Sequence, residues 1–401
     1  MKRNGSVQLR EKGHHLLLRN GWLTVDYDLE DGSWGITLSK GGSFRGMRFF
    51  GRVQVNGEWV ETRGHRVERW EKEDVVDALG EGTRVELLHQ AGDEPLELKL
   101  IVCVYRERPS LLLGLSIRNR TEETLRIGEA RPIEIDTSRG GSLYLGEGLD
   151  TARIYRESNN ICASVVRGLR DAGMDGQESR EHTEEEDRSE YLHQSGWVGL
   201  IFNPQSRTVF LGGFVTVETA LGKIVTRYRP AQGITQWYAA CKYDGLAVKP
   251  GGELMSETCY LDVRSDPFES LETFADVVVA ENNLPPKQET PALWCSWYPY
   301  RLKLTEEEVL NNARVIAERF RDYGVKVLQL DYGWNDKDTP GEWSHNEERF
   351  PHGLTWLVER LRSMGLELGL WVAPFIVFEG SAFFRDHPDC VIMDAEGRPS
   401  A

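Results

Sequence analysis

The stretch VKVLQLDYGW, residues 325–334, decides the fold of the C-terminal part of the chain. Its apolar residues predict a short strand that ends at a carboxylate, Asp331. Similar stretches lie on either side, PALWCSWYPY at 291–300 and LELGLWVAPF at 366–375, and helical segments separate the three. This alternation of strands and helices predicts a parallel sheet, either an open α/β sheet or a barrel. Residues at the C-terminal ends of such strands usually carry the chemistry.

The two helices between these strands have start and stop signals in the sequence. Thr305 followed by Glu308 has the form of a capping box, and Gly324 is expected to end the helix that begins there. Gly365 is expected to end the second helix in the same way. The apolar positions that predict the buried faces of the two helices are Val309, Ala313, Ile316, Ala317, Phe320, Trp356, Leu357, Leu361 and Met364.

The first 283 residues have the pattern of an all-β domain. Apolar and polar residues alternate at 23–29 and at 96–104, which predicts half-buried strands, and Asn20-Gly21 predicts a hairpin turn before the first of them. Further strands are predicted in the runs LLLGLSIRN, LYLGEG, VGLIFN, TVFLGGFVTV and MSETCYLDV. Many short strands with almost no helical period indicate a large antiparallel β-sandwich.

The predicted organisation is therefore multidomain, a β domain followed by an α/β segment. The β-sandwich is assigned to residues 1–283 and is closed by an amphipathic helix over Phe268–Asn283. Residues 284–291 are assigned to a linker, because prolines disfavour both a helix and a central strand. The α/β segment is assigned to residues 292–401. The polar, highly charged stretch Gly168–Ser195 interrupts the β pattern and is predicted to be a solvated loop.

Composition and charge narrow the class of protein. The chain is 40% hydrophobic and 28% charged, as expected for a soluble globular protein, and its net charge of -16 disfavours nucleic acid and anionic membrane surfaces as partners. The N-terminus has no apolar core of a secretory signal, and no run of ~18 apolar residues predicts a membrane span. The six scattered cysteines are interpreted as buried free thiols of a reducing compartment, so the predicted location is cytoplasmic.

Two groups of reactive residue types in the first domain are not interpreted as functional sites. His182 stands beside Glu184–Glu186, but adjacent acidic residues on a polar loop are more often a solvated face than a metal site. His193 and Ser195 point the same way in a strand, yet nothing supplies a third partner or a nucleophile elbow. No metal and no organic cofactor are predicted.

Trp297, Asp331 and Trp371 fall near equivalent positions when the three strand stretches are aligned, so we expect them at one mouth of the sheet. Indole faces can cover the apolar C–H patches of a pyranose, and a carboxylate can accept hydrogen bonds from two hydroxyls. Each residue alone also fits a packing or capping role, whereas the three together indicate a sugar-binding site. Tyr332 and Trp334 are secondary candidates, because loop aromatics are as often packing residues.

The segment 291–401 resembles the catalytic barrel of the melibiase and raffinose-synthase-like enzymes, which form glycoside hydrolase family 36. The stretches that carry the resemblance are WCSWYPY at 294–300, LQLDYGW at 328–334, GEW at 341–343, Phe350-Pro351, GLWVAPF at 369–375 and HPDCVI at 387–392. The stretch HQSGWVGLIFN at 193–203 looks like its counterpart in the family's β-sandwich domain.

The resemblance implies a retaining, exo-acting α-galactosidase whose catalytic domain is a (β/α)8 TIM barrel. Retention requires two carboxyl groups roughly 5 Å apart. In this family they end the fourth and sixth barrel strands, and about three of the eight strands are present here. Asp331, Trp297 and Trp371 match residues of the substrate-holding shell. Because such a barrel takes ~250 residues, residues 292–401 are expected to be its beginning, and the chain alone is expected to be an inactive fragment.

The family's α-galactosidases commonly carry two adjacent aspartates, which hold the 4- and 6-hydroxyls, where this chain has Asp331-Tyr332. The expected partner is therefore an α-galactoside or another small α-glycoside or oligosaccharide, and the choice of sugar, the linkage and homo-oligomerisation stay open. Three alternatives remain at this point. They are a raffinose-synthase-like α-galactosyl transferase, a non-catalytic carbohydrate-binding protein that works through its sandwich, and a truncated reading frame without a function of its own.

Overall fold

The computed structural model describes residues 7–38, 49–89, 96–157, 164–171, 190–285, 290–394 and 397–399. The chain divides into two compact units, Met1–Pro285 and Pro286–Ala401, so the division falls inside the stretch predicted as a linker. Across the described ranges, no helix is long and apolar enough to span a membrane.

The first unit is built almost entirely of antiparallel strands. Its elements in chain order are β1 (Gln8–Lys12), β2 (His15–Arg19), β3 (Leu23–Asp28), β4 (Trp34–Leu38), β5 (Phe50–Val55), β6 (Glu58–Glu61), β7 (Val67–Asp77), β8 (Gly80–His89), β9 (Leu96–Tyr105), β10 (Ser110–Asn119), β11 (Leu125–Asp136), β12 (Arg153–Arg156), β13 (Val165–Gly168), β14 (Tyr191–Gly196), β15 (Val198–Asn203), β16 (Thr208–Phe214), β17 (Leu221–Arg229), β18 (Gly233–Val248), β19 (Glu253–Met255), β20 (Cys259–Arg264) and the helix α1 (Pro267–Glu281).

These strands form three sheets. A four-stranded sheet has the order β1-β2-β3-β4, and a six-stranded sheet has the order β14-β17-β18-β11-β5-β6. A ten-stranded sheet has the order β13-β12-β15-β16-β20-β10-β9-β8-β7, with β19 beside β10. All three contribute to one hydrophobic core. In strand β10 the side chains alternate between the two faces of its sheet. Leu111, Leu113, Leu115 and Ile117 enter that core, whereas Leu112 points to the opposite face. The predicted antiparallel β-sandwich is thus confirmed.

Helix α1 covers the other face of the ten-stranded sheet. Asp266 caps its N-terminus by accepting two backbone N–H bonds of 2.9 and 3.1 Å, and Pro267 occupies the first helical position. Phe274 and Val277 pack on the sheet beside Leu112. Gly213 permits this close approach, because a Cβ there would lie 2.7 Å from the Phe274 ring.

Three predictions for the first unit differ from the structure. The run LYLGEG forms only an isolated bridge at Leu143, because neighbouring residues do not extend the pairing. The polar stretch predicted as one loop ends earlier, since Tyr191–Gly196 pairs with β17 as strand β14. The run MSETCYLDV breaks into β19 and β20 around Glu257, whose carboxylate binds a neighbouring loop. His182 and Glu184–Glu186 lie outside the described residues, as does Cys162.

The described cysteines are free thiols, of which Cys103, Cys241 and Cys259 are buried, as predicted. Cys295 is only partly buried and Cys390 is exposed, so these two depart from the expectation. Burial raises the pKa of Cys103 to about 11 and that of Cys241 to about 12, which keeps both thiols protonated and unreactive at neutral pH.

The second unit contains a three-stranded parallel sheet with the order β21-β22-β23. Its elements are β21 (Ala292–Cys295), α2 (Trp297–Tyr300), α3 (Glu306–Arg319), β22 (Val325–Leu330), α4 (Gly353–Ser363), β23 (Glu367–Leu370) and α5 (Ala382–Asp386). In the register of the sheet, Cys295 pairs with Gln329, and Gln329 pairs with Gly369. The C-terminal ends of the three strands are therefore level, which is what brings the following residues together.

Helices α3 and α4 supply the apolar side of this sheet. Thr305 and Glu308 form the predicted capping box at the start of α3. The buried core contains the predicted positions Val309, Ala313, Ile316, Leu357 and Leu361. Phe320 was predicted on the same face, but α3 ends at Arg319 and the Phe320 side chain is exposed. Gly324 adopts a left-handed conformation with φ 91° and ends a short 3-10 turn that follows the helix.

Candidate active site

Backbone hydrogen bonds join the three strand ends at one edge of the parallel sheet. The Ser296 backbone N–H donates to the Gln329 carbonyl at 3.0 Å, and the Asp331 backbone N–H donates to the Ser296 hydroxyl at 2.9 Å. The Trp371 backbone N–H donates to the Leu330 carbonyl at 2.8 Å. The residues that follow β21, β22 and β23 are thus neighbours, in the arrangement expected from the parallel register.

The Asp331 carboxylate is held by donors from its own strand and from the strand beside it. Oδ1 accepts the Tyr332 backbone N–H at 2.7 Å. Oδ2 accepts the Cys295 thiol and the Gln329 side-chain amide, both at 3.3 Å. A carboxylate has about four lone-pair positions, and three are used here. One position on Oδ1 remains for a ligand hydroxyl, and a second hydroxyl would have to displace one of the long bonds to Oδ2.

The Cys295 thiol is suited to this role of donor. Burial raises its pKa above the ordinary value, and the neighbouring Asp331 carboxylate raises it further. The thiol is therefore protonated at neutral pH and donates its proton towards Asp331 rather than acting as a nucleophile.

Four aromatic rings form a row beside Asp331. Tyr332 lies at the centre, with ring centroids 6.3 Å from Trp297 in a stacked arrangement and 5.2 Å from Trp371 at a tilt of 43°. Trp343 continues the row at 6.4 Å from Trp371 and is 36% exposed. The two predicted indole platforms are therefore not separated by an open gap, because the Tyr332 ring lies between them and forms an apolar wall with both.

The Tyr332 hydroxyl forms a hydrogen bond with the loop that follows β22. It donates to the Asp338 backbone carbonyl, and the Asp338 carboxylate forms an ion pair of 2.6 Å with Arg349. Burial raises the pKa of Tyr332, and the Asp338 charge adds to the effect. Lys337 and Asp338 both have left-handed backbone conformations, with φ 54° and 49°. The phenol thus fixes a tight turn and presents its ring, not its proton, to the site.

Trp334, a predicted binding residue, lies in the core of the second unit. Its side chain is 2% exposed and belongs to the same hydrophobic cluster as Phe350. Its indole N–H donates to the Trp371 backbone carbonyl at 2.8 Å. A buried indole has no face to offer a sugar, so this assignment is corrected: Trp334 supports the backbone of Trp371 and stacks on the inner side of Trp343.

Sequence reasoning missed three side chains at this site, although signals for them existed. Gln329 is two residues before Asp331 on the same strand, so both point to one face. Cys295 lies opposite Gln329 in the parallel register. Trp343 belongs to the stretch GEW, which carries part of the family resemblance, and its ring contacts Trp371.

His193 and Ser195 have structural roles. The His193 Nε2–H donates to the Leu169 carbonyl at 2.9 Å, and burial lowers the pKa of this histidine. The Ser195 hydroxyl donates to the Val198 carbonyl and accepts the Glu157 backbone N–H at 2.6 Å. Each side chain binds backbone groups of neighbouring segments, so the two do not act on each other as a nucleophile and its base.

Comparison with known proteins shows which proteins this part of the chain resembles. The sequence profile of the melibiase family matches residues 272–401, a range that contains all the aromatic and carboxylate residues described above. The α-galactosidase AgaA of Geobacillus stearothermophilus is 35% identical over 107 residues, which make up 25% of this chain and 14% of AgaA.

Solved structures extend the likeness to the whole fold. A variant of Geobacillus stearothermophilus AgaA in complex with raffinose superposes on 96% of this chain and 60% of its own, with a TM-score of 0.62 at 16% identity. The α-galactosidase of Lactobacillus brevis covers 98% of this chain and 59% of its own, with a TM-score of 0.66 at 13% identity. This chain thus spans about three fifths of the length of these relatives, and its residues 272–401 are similar to the melibiase family.

Proposed function

We propose that the chain is the N-terminal part of a retaining, exo-acting α-glycosidase that hydrolyses terminal α-galactosides. The observation that carries this proposal is the Asp331 carboxylate, held at the end of β22 beside a row of partly exposed aromatic rings. This is the combination that binds a pyranose, since the rings cover its C–H face and the carboxylate fixes a hydroxyl. The names of the relatives support galactose, and the AgaA variant was solved with raffinose, an α-galactoside.

In this proposal the parallel sheet β21-β22-β23 is the start of a (β/α)8 barrel, with Asp331 in the substrate-holding shell. Bond cleavage by double displacement requires two carboxyl groups roughly 5 Å apart. The resemblance assigns them to the fourth and sixth strands, whereas the described residues of the second unit supply three. Asp331 therefore orients the sugar and does not attack it, and the 401-residue chain alone is proposed to be inactive.

The orientation of Asp331 also bears on the sugar that is bound. With three donors already on the carboxylate, Asp331 has one open acceptor position. The neighbouring Tyr332 offers an apolar ring, because its hydroxyl donates to Asp338. The sugar edge that faces Tyr332 is thus recognised by shape and C–H contact, which allows α-glycosides other than galactosides as substrates.

The test compares the purified chain with the protein encoded by the complete reading frame. The complete protein should hydrolyse an aryl α-galactoside and release the α-anomer first, which NMR detects, and Asp331→Ala should raise KM strongly. Added sucrose would reveal transfer as a new oligosaccharide product. The 401-residue chain should show no turnover. Turnover by the chain alone that Asp331→Ala abolishes would contradict the assignment of Asp331 to binding.

A further inference from the structure

A cluster of metal-ligating side chains lies on the four-stranded sheet of the first unit. His14, His15 and Asp28 each offer one ligand atom, and these atoms lie within 4.8 Å of one another. The cluster shares no residue with the sugar site. We propose that it binds a first-row transition metal ion, Zn²⁺ in particular, through these three side chains and one water molecule.

The β-sheet register explains why the three residues meet. Strands β1 and β2 are joined by the two-residue turn Gly13-His14, and Gly13 has φ 63°, which suits the first position of a hairpin turn. His15 is directly opposite Asp28 across β2 and β3. The Leu29 backbone N–H also donates to the His14 carbonyl at 2.7 Å, so the turn is fixed next to the end of β3.

The carboxylate of the cluster is already oriented. Asp28 Oδ1 accepts the backbone N–H groups of Glu30 and Asp31 at 2.9 and 3.1 Å, which holds the side chain in the turn. Its other oxygen, Oδ2, lies 3.7 Å from His14 Nε2. Two ligands of a tetrahedral zinc ion are about 3.4 Å apart, because Zn–N and Zn–O bonds are about 2.0–2.2 Å. This pair is therefore close to the separation that the metal requires.

Asp26 supplies the outer support that metal-bound histidines usually have. It lies two residues before Asp28 on β3, and its Oδ1 is 2.8 Å from His15 Nδ1. An imidazole that donates its Nδ1–H to a carboxylate has a more basic Nε2 with its lone pair directed outward. Because Nδ1 is bound to Asp26, Nε2 is the His15 nitrogen that is left for a metal ion, and in this proposal Asp26 is a positioning residue, not a ligand.

Access and charge also suit a cation. The side chains of His14 and His15 are 47% and 41% exposed, so an ion can reach them and the rings can rotate to close the remaining distance. Glu30 and Asp31 add negative charge next to Asp28, which raises the local concentration of divalent cations. Two imidazoles favour Zn²⁺, Ni²⁺ or Cu²⁺ over Mg²⁺ and Ca²⁺, which prefer oxygen ligands.

A bound ion would join the β1–β2 turn to the end of β3 and stabilise the folded first unit, because it binds the folded chain only. The test uses the full chain without a polyhistidine tag. Titration calorimetry with ZnCl₂ should show one saturable site, Co²⁺ should give the visible absorption of a tetrahedral complex, and MgCl₂ should give no heat. His15→Ala and Asp28→Asn should abolish the site, and Asp26→Asn should weaken it about 10–100-fold.

Two matched controls distinguish metal coordination by the three side chains from non-specific attraction of a cation to the protein surface. Glu30→Gln removes a neighbouring charge but no proposed ligand, and His387→Ala removes an exposed histidine elsewhere; both should keep the site within about threefold. If His15→Ala or Asp28→Asn does not fold, as judged by circular dichroism without metal, His14→Asn at the exposed turn serves instead. The absence of saturable zinc binding, or equal binding by the wild type and the three ligand variants, would overturn the proposal.

Discussion

The Cys295 thiol donates to Oδ2 of Asp331 across 3.3 Å, so a side-chain hydrogen bond connects the ends of two parallel strands at the proposed sugar site. The Gln329 amide binds the same oxygen, and the Tyr332 backbone N–H binds the other. A carboxylate held from three directions keeps one rotamer before a sugar arrives. Its contribution to affinity is then not offset by the loss of side-chain freedom on binding.

The first prediction concerns the Cys295 bond. In the longer α-glycosidase proposed above, Cys295→Ala should raise KM for an aryl α-galactoside about fivefold, which corresponds to about 1 kcal/mol for one net hydrogen bond. Cys295→Ser keeps a donor at the same position and should stay within about twofold of the wild type. Steady-state kinetics on the three proteins provide the measurement, and equal KM values for the alanine variant and the wild type would refute the role of the thiol.

The second prediction separates the buried Trp334 from the exposed Trp343, although the two rings stack at 6.2 Å. Trp334→Ala should destabilise the second unit by about 3–5 kcal/mol, because it leaves a cavity and frees the Trp371 carbonyl. Trp343→Ala should cost less than about 1 kcal/mol and should instead weaken sugar binding. Thermal unfolding should show the larger loss of stability for Trp334→Ala, and substrate affinity should show the larger loss for Trp343→Ala. Similar destabilisation by the two variants would contradict the assignment.

These two tryptophans also show how far the sequence could predict the site. The positions of Trp297, Asp331 and Trp371 followed from strand periodicity, because level ends of parallel strands place the next residues side by side. No period governs the loop after β22. Whether the Tyr332 or the Trp334 side chain turns inward depends on the hydrogen-bond acceptor that each one reaches. The Trp334 indole donates to the Trp371 carbonyl, and the Tyr332 hydroxyl donates to the Asp338 carbonyl.

In the fold of the first unit, too, the local pattern predicted some strands and missed others. Alternation predicted β3 and β9 because alternate residues of each strand are buried in a common core. The run MSETCYLDV has the same local pattern, but the strand is interrupted at Glu257. The Glu257 carboxylate accepts hydrogen bonds from residues that lie about forty positions away in the sequence. A buried charge of this kind is satisfied by tertiary contacts, which local periodicity does not encode.

The third prediction concerns Glu257, which is almost completely buried. Burial alone would raise its pKa, but the Thr216 hydroxyl and the backbone N–H groups of residues 218–220 outweigh burial and lower the pKa below 4.5. A lowered carboxyl pKa adds stability that is present above the unfolded value and is lost as pH falls through the folded value. Glu257→Gln should therefore destabilise the first unit by about 2 kcal/mol at pH 7, with a smaller difference from the wild type in acid.

Thermal unfolding at pH 7 and below pH 4 checks this prediction. Glu58→Gln, at an exposed position of β6, is the matched control and should leave the unfolding midpoint within about 1 °C, since surface substitutions rarely exceed ±0.5 kcal/mol. A difference between Glu257→Gln and the wild type that stays constant with pH would show that the charge of Glu257 is not what stabilises the loop.

The fourth prediction concerns the Tyr332 hydroxyl. Because that hydroxyl donates to the Asp338 carbonyl, Tyr332→Phe should leave the row of rings in place but free the turn at Lys337 and Asp338. We expect a loss of stability of about 1 kcal/mol and a KM for α-galactosides within about twofold of the wild type.

Tyr332→Ala removes the wall between Trp297 and Trp371 and should raise KM at least tenfold. Tyr298→Phe, on an exposed ring, is the control for loss of a phenol. Steady-state kinetics on galactoside and glucoside substrates distinguish the outcomes, and a strong KM increase in Tyr332→Phe itself would mean that the hydroxyl contacts the sugar.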